Sequence, residues 1–279
     1  MKWKGGCQMK EVISDIFSRE AIRQSGSWQW LRSDFAEDFH HLTAAEADRE
    51  DSGNEIIWNT RHKYTLKIQA PSGRVIAFKR YRTLRLFPYL YHTTPTAREA
   101  LNYQKLQLIG LPMANLLAVG DARKCFRPES SFIVTEFAEN CQDGRAFYPG
   151  GKLEKETGWR DEFCRRNFEL IAKLHDAGIY HRGFTPANEL WRTRPAPDEQ
   201  GNQLDIIWID VASCRRLPAA VLRRKIPDDF VNFLRFFQFP EETWRGFLQA
   251  YCRAVKVKRF EPDQLFAEVR KRLAEISES

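Results

Sequence analysis

The chain has 279 residues, of which 43% are hydrophobic and 29% are charged, and its formal net charge at pH 7 is +7. This composition is typical of a soluble globular protein. No uninterrupted apolar run reaches the roughly 18 residues that predict a transmembrane helix, and the first residues lack the apolar core of a secretory signal. We therefore expect a cytoplasmic location.

The six cysteines are scattered and form no C-x-x-C pair, so neither a metal site with cysteine ligands nor a disulfide framework is expected. The positive charge favours an anionic partner such as nucleic acid, acidic lipid or a phosphorylated glycan. No helix-turn-helix, zinc finger or RNA-binding motif accompanies the basic clusters, so nucleic acid is not expected.

Residues 1–53 have a mixed composition and are predicted to form an N-terminal extension that ends in a polar, acidic stretch. A block rich in strands follows. Residues 55–58, 64–68 and 75–78 are predicted strands, and the turns between them are short, so we expect an antiparallel meander.

A helix is predicted over residues 96–108, with Thr96 as its N-cap and Glu99 as the second member of a capping box. Two further strands, residues 116–119 and 131–137, complete the first half of the chain.

The second half is mainly helical in pattern. Apolar residues at helical spacing predict a helix over residues 161–177, and Gly178 ends it because glycine is favoured just after a helix C-terminus. Short strands at 189–191 and 206–209 follow, and the pattern from residue 227 onward is helical again.

The octapeptide from His181 to Asn188 has the register of the kinase catalytic loop, H-R-D-x-x-x-x-N. In that loop the aspartate accepts the proton of the substrate hydroxyl, and the asparagine holds a magnesium ion. His181, Arg182 and Asn188 match the pattern and are candidate catalytic residues, and Asn188 is also a candidate metal ligand. Gly183 stands at the aspartate position and has no side chain that could accept a proton.

Three further residues follow the order of a kinase site. Lys79 ends the third predicted strand and resembles the V-A-I-K lysine, which contacts the nucleotide phosphates. Glu99 lies on the next helix, where a carboxylate would hold that lysine in place. Asp210 ends an apolar strand, at the position of the magnesium-binding aspartate of D-F-G, although Phe and Gly do not follow it.

The order of elements and of these residues predicts a protein-kinase-like fold of the α+β class. It would have a small antiparallel sheet lobe with one helix at residues 54–138 and a larger, mainly helical lobe at residues 139–279. No G-x-G-x-x-G loop occurs, so the turn at residues 60–63 would have to cover the phosphates, with Arg61 and Lys63 contributing charge. No A-P-E segment follows the predicted metal-binding aspartate, which argues against a protein substrate.

Several segments resemble the lipopolysaccharide core kinases of the Kdo/WaaP family. Residues 97–112 are similar to the family pattern R-E-x₃-L-x-x-L-x-x-x-G-[IV]-P, and residues 131–136 are similar to its S-F-L-V-T-E strand. Residues 174–182 are similar to its L-H-x-A-G-[IV]-x-H-R-D segment. The resemblance spans residues 55–240.

The resemblance implies a kinase that uses ATP and Mg²⁺ to phosphorylate a heptose or Kdo hydroxyl of the lipopolysaccharide inner core. Lys79, Glu99 and Glu136 would bind the nucleotide, and Asn188 and Asp210 would hold the metal. The partner would be the lipopolysaccharide core glycolipid or another anionic glycan, with peripheral contact to the inner membrane.

Gly183 departs from the family pattern and leaves three functions open. The first is a sugar kinase that is weak or uses a substitute base. His175, Asp176 and Glu189 lie nearby in the sequence, but neither carboxylate is an obvious substitute. The second function is a nucleotide-binding pseudokinase that regulates or scaffolds cell-envelope biosynthesis, and the third is another small-molecule kinase. Gly183 could also be structural, by adopting a positive φ in a tight loop.

An aromatic and basic stretch, residues 80–92, lies between Lys79 and the predicted helix. It could rest on an anionic membrane or glycolipid, or its aromatic side chains could pack beneath the helix.

Overall fold

The structure is a computed structural model that describes residues 28–39, 42, 55–81, 94–124, 127–195 and 202–277. Most of the predicted N-terminal extension and residues 82–92 of the aromatic and basic stretch lie outside the described residues. The chain divides into two compact units. Unit one comprises residues 1–104 and 114–139, and unit two comprises residues 105–113 and 140–279.

In the described part of the chain, unit one is built on a six-stranded antiparallel sheet. Its strands are β1 (Trp28–Leu31), β2 (Glu55–Asn59), β3 (Lys63–Gln69), β4 (Val75–Tyr81), β5 (Leu116–Lys124) and β6 (Arg127–Glu136). Their order across the sheet is β1-β5-β6-β4-β3-β2. The predicted meander of β2, β3 and β4 and the two later strands are confirmed. Strand β1 was not predicted, because it is only four residues long and lies in a segment of mixed composition.

One face of this sheet is covered by the residues that follow β1. Phe35, Phe39 and Leu42 are buried against it. Strand β3 alternates between buried and partly exposed residues, so its buried side chains point to this layer. The sheet contributes Tyr64, Leu66, Ile68, Ile76, Phe78, Leu117, Ala118 and Val134 to the shared core. Residues that the sequence analysis assigned to an extension therefore stabilise the sheet.

The helix after the meander, α1 (Pro95–Leu108), begins one residue earlier than predicted. The Thr94 hydroxyl accepts the Ala97 N–H at 3.3 Å, so Thr94 caps the helix and the prediction of Thr96 was wrong. The physical reason is Pro95, whose fixed φ suits the first helical position. The Thr94 and Thr96 hydroxyls both donate to the buried Asp121 carboxylate on β5, at 2.9 and 3.2 Å. This network fixes the start of α1 to the sheet.

Unit two is mainly helical in its described part. Its helices are α2 (Thr157–Asp176), α3 (Ala219–Leu234), α4 (Glu241–Ala254) and α5 (Pro262–Ser277). It also contains two small sheets. In the first, β9 (Glu189–Pro195) lies between β7 (Gln142–Asp143) and β10 (Asn202–Trp208). In the second, β8 (Ile179–Tyr180) pairs with β11 (Arg215–Arg216). The α+β class and the order of a sheet-rich part before a helical part are confirmed.

Aromatic side chains fill the core of unit two. Phe184 of the octapeptide is fully buried and stacks on Phe233 of α3, with ring centroids 4.6 Å apart. Phe168 of α2 contacts both rings and Phe247 of α4. The octapeptide is thereby packed directly against α2 and α3, and α2 packs in turn against α4. Gly178, with φ 78°, ends α2 as predicted.

No helix within the described ranges is long and apolar enough to cross a membrane.

Cys141, Cys164, Cys214 and Cys252 are free thiols.

Candidate active site

Lys79 and Glu99 form a buried ion pair within unit one. The Lys79 Nζ atom lies 3.0 and 2.9 Å from the two oxygens of the Glu99 carboxylate. The side chains are 12% and 2% exposed. Lys79 comes from β4 and Glu99 from the second turn of α1, so the sheet and the helix together fix the ammonium group. The structure brings these two predicted residues together.

The turn between β2 and β3 is closed by the side chain of its first residue. The Thr60 hydroxyl accepts the Lys63 N–H at 3.1 Å and donates to the Lys63 carbonyl at 3.0 Å. It also accepts the His62 N–H at 3.4 Å. These two amides are therefore engaged within the turn, unlike the amides of a glycine-rich loop, which cradle phosphates. The role of the Arg61 and Lys63 side chains in covering phosphates stays a prediction.

Glu136, predicted to bind the cofactor, ends β6. Its carboxylate accepts hydrogen bonds from Arg32 Nη2 at 3.2 Å and from Asn115 Nδ2 at 2.7 Å. Arg32 directly follows β1, so Glu136 links the end of β6 to the end of β1, two positions away in the sheet. The nucleotide-binding role of Glu136 stays a prediction.

In unit two the backbone of the octapeptide is held by Asp229 of α3. This fully buried carboxylate accepts the backbone N–H groups of His181 and Arg182, each at 3.0 Å. It also contacts the His175 ring at 3.2 Å, and the other nitrogen of that ring contacts the Tyr251 hydroxyl at 3.1 Å. Asp229 therefore fixes two consecutive amides of the loop.

Sequence reasoning missed Asp229. A signal was present, because the carboxylate lies on the same helical face as the apolar Ile226, Phe230 and Phe233, where a charged side chain is rare unless it has partners.

The side chain of His181 is completely buried. Its ring packs against Phe184 and Trp208, with centroids 5.8 and 5.4 Å away. Neither ring nitrogen has a hydrogen-bond partner among the described residues. Burial lowers the pKa of His181 below its usual value, so the ring is neutral at pH 7.

Gly183 does not have a positive φ; the positive φ of this loop, 64°, is at Arg182. The structural explanation of Gly183 through a left-handed backbone was therefore wrong. A Cβ atom at residue 183 would lie 3.0 Å from the Ser213 hydroxyl oxygen, which is closer than ordinary contact. A larger residue at position 183 would therefore meet the Ser213 side chain and not backbone atoms.

The two predicted metal ligands of unit two lie on adjacent segments. Asn188 Nδ2 donates to the Gly183 carbonyl at 3.0 Å, so its amide oxygen is the atom that could act as a ligand. The Ile209 N–H donates to the Asn188 carbonyl at 3.0 Å, which places Asp210 one residue beyond this link. Asp210 has left-handed backbone angles, φ 55° and ψ 50°. Such strain in a residue other than glycine is concentrated at functional sites.

None of the three neighbouring candidates for a substitute base is available. The His175 ring is buried between Asp229 and Tyr251. The Asp176 carboxylate accepts the backbone N–H groups of Lys256 and Val257 at 2.8–3.1 Å. Glu189 is fully buried with no hydrogen-bond partner among the described residues, and burial raises its pKa well above the usual value.

The order of elements, the buried lysine–glutamate pair and the anchored catalytic loop define a protein-kinase-like fold. Residues 79–251 match the sequence model of the lipopolysaccharide kinase (Kdo/WaaP) family. The chain belongs to this family. No curated protein matches the sequence.

Three solved structures are similar to this chain at low sequence identity, and the first of them shares its fold. One, described as WaaP in complex with acyl carrier protein, has a TM-score of 0.62 and 16% identity and covers 89% of this chain and 98% of its own. The Rio2 kinase of Chaetomium thermophilum, in a complex with ADP, Mg²⁺ and phosphoaspartate, has a TM-score of 0.44 and 16% identity and covers 99% and 87%. The pseudokinase domain of BIR2 has a TM-score of 0.44 and 17% identity and covers 88% and 86%.

Proposed function

We propose that this protein is an ATP-dependent phosphotransferase that acts on a heptose or Kdo hydroxyl of the lipopolysaccharide inner core. The observation that carries the proposal is the buried Lys79–Glu99 pair, in a chain that belongs to the lipopolysaccharide kinase family. A buried ammonium is costly unless it is paired and hydrogen-bonded. Holding it on both oxygens of one carboxylate gives it a fixed position, which phosphate recognition requires.

The residues of the chain fit Mg-ATP. Lys79 would contact the nucleotide phosphates, and Glu99 would orient it. The Asn188 amide oxygen and the Asp210 carboxylate would hold the magnesium ion, which takes one or two protein oxygens and leaves its other positions to phosphate and water. When bound, Mg-ATP would supply the phosphoryl group.

The loop residues would serve as a rigid support. Asp229 fixes the backbone amides of His181 and Arg182. The neutral His181 ring is buried between aromatic rings, so His181 would support the loop and would not act on the substrate as an acid or a base. Phosphoryl transfer depends mainly on positioning and charge stabilisation. We therefore infer transfer without a side-chain base at residue 183, at a rate about 10²- to 10⁴-fold below that of an enzyme with one.

The second candidate function is a nucleotide-binding pseudokinase that regulates or scaffolds cell-envelope biosynthesis. One observation favours it: Gly183 has no carboxylate, and His175, Asp176 and Glu189 are all buried or engaged elsewhere. Both candidates require nucleotide binding. In either case we propose that the protein works in the cytoplasm, in contact with core glycolipid at the inner membrane surface.

The test is to melt the protein with and without millimolar ATP and Mg²⁺. We expect the nucleotide to raise the melting temperature only when the metal is present, and Lys79→Met and Asp210→Asn to abolish this rise. Exposed residues provide matched controls, Lys155→Met and Asp263→Asn, which should respond like the unmodified protein. The absence of any rise in the unmodified protein would refute both candidates. Transfer of labelled phosphate to purified core oligosaccharide then separates the kinase from the pseudokinase.

A further inference from the structure

Ser213 lies in the short 3₁₀ turn Val211–Ser213 that follows Asp210, and its hydroxyl contacts the catalytic loop. The hydroxyl donates a hydrogen bond to the backbone carbonyl of His181 at 2.8 Å. A Cβ atom at residue 183 would lie 3.0 Å from Ser213 Oγ, whereas Ser213 Cβ would be 4.0 Å away, at ordinary contact. The hydroxyl oxygen is therefore the atom that would have to shift, by a few tenths of an ångström, to admit a side chain at residue 183.

The backbone gives no reason for glycine at this position. The φ of Gly183 lies outside the left-handed region, and Arg182 carries the unusual angle instead. The other side-chain atom near the Cβ position, His181 Nδ1, would be 3.9 Å away. An alanine or aspartate could adopt this conformation if the Ser213 hydroxyl were absent.

We propose that Gly183 and Ser213 are a matched pair, in which the Ser213 hydroxyl holds the catalytic loop and crowds any side chain at residue 183. Ser213 stabilises the loop by its hydrogen bond to the His181 carbonyl. Because Gly183 has no side chain, it does not crowd the Ser213 hydroxyl. The loop is thus adapted to the loss of its aspartate, and restoring the aspartate alone would displace the hydroxyl and disturb this hydrogen bond. The catalytic side of this inference rests on the proposed phosphotransferase function, whereas the pairing itself does not.

The pairing is tested by melting four proteins: the unmodified chain, Gly183→Ala, Ser213→Ala and the double variant. We expect Gly183→Ala to lower the melting temperature by several degrees when Ser213 is present and to leave it unchanged or higher when residue 213 is alanine. Gly246→Ala is the matched control, because a Cβ there would meet nothing within 4 Å and the residue lies inside α4. It should raise the melting temperature in both backgrounds. An equal effect of Gly183→Ala in both backgrounds would refute the pairing.

The catalytic consequence is tested with Gly183→Asp alone and together with Ser213→Ala. Phosphate transfer from ATP to core oligosaccharide should be about 100-fold faster in the double variant than in Gly183→Asp, because only there can the carboxylate take the position of a general base. The gain should be in kcat with KM unchanged, as expected for a group that acts in the transition state. Equal rates in the two proteins would show that the Ser213 hydroxyl does not hinder a carboxylate at residue 183 and would overturn the matched pair. If no variant binds ATP, the proposed function fails, and the melting experiment still decides whether the residues are paired.

Discussion

The buried carboxylate of Asp229 accepts the backbone N–H of Arg182 at 3.0 Å, and Arg182 is the residue of the catalytic loop with a φ of 64°. A left-handed conformation of a residue other than glycine costs about 1–3 kcal/mol and persists only where its surroundings fix it. Asp229 does so from a separate helix, while Phe184 anchors the other side of the loop in the aromatic core. The loop shape is therefore imposed by α3.

We predict that Asp229→Ala lowers the free energy of unfolding by about 3 kcal/mol, because it leaves buried N–H groups and His175 without their acceptor. Urea denaturation measures this loss. The neighbouring Asp228→Ala is the control: Asp228 pairs with Lys225 and Arg272 at the surface, so its removal should cost about 1 kcal/mol or less. Equal losses for the two variants would contradict the anchoring role of Asp229.

The Lys79–Glu99 pair should behave differently when one partner or both are removed. Glu99→Leu leaves a buried ammonium without its partner and should cost about 3 kcal/mol of stability, whereas the double variant Lys79→Met, Glu99→Leu should recover most of that loss. ATP binding should be lost in both. Denaturation curves measure the stability, and thermal shifts with Mg-ATP measure the binding. Retention of nucleotide binding in the double variant would remove Lys79 from the phosphate site.

Glu189 should make the stability of the protein depend on pH. Because burial raises its pKa, the folded state favours the protonated side chain, and its contribution is complete below the usual glutamate value of 4.5 and is lost as the pH rises above it. We expect Glu189→Gln to be more stable than the unmodified protein at pH 7, with the difference shrinking as the pH falls towards 4.5. Urea denaturation at several pH values tests this, with the exposed Glu242→Gln as the control. A difference that does not depend on pH would refute the prediction.

Association with anionic glycolipid should weaken with salt, because the net charge of +7 acts through screened contacts. Co-sedimentation with lipopolysaccharide at low and high ionic strength measures this, and vesicles of neutral lipid are the control. We expect binding at low salt that falls steeply as salt is added. Failure to bind at either salt concentration would remove glycolipid contact from the proposed function.

The sequence was sufficient for features that depend on local pattern. Alternation predicted the meander, a long amphipathic stretch ending at Gly178 predicted the C-terminal end of α2, and the spacing of Lys79 and Glu99 predicted their pairing. The first two are recorded in consecutive residues of one or a few neighbouring elements, and the third follows from the order in which a kinase site places its lysine and glutamate along the chain. The start of α1 was placed one residue late because the proline that follows Thr94 was not weighed.

The features that were missed depend on residues far apart in the chain. Asp229 meets Arg182 across 47 positions, and Ser213 meets the His181 carbonyl across 32. The octapeptide alone does not indicate that Arg182, and not Gly183, has the left-handed backbone conformation. The Asp229 carboxylate, which accepts the Arg182 N–H, lies outside the octapeptide. The space at residue 183 is likewise set by a side chain from another segment.

Phe35, Phe39 and Leu42 cover one face of the sheet in unit one. This limits which shortened fragments of the protein can be expected to fold. A shortened chain that began at residue 54, where the sequence pattern first turns to strands, would leave Tyr64, Leu66 and Phe78 open to water. Exposed aromatic and aliphatic rows on a sheet promote aggregation. Such a fragment would fail in expression or refolding while its nucleotide-binding residues were all present, and an inactive preparation of it would say nothing about catalysis.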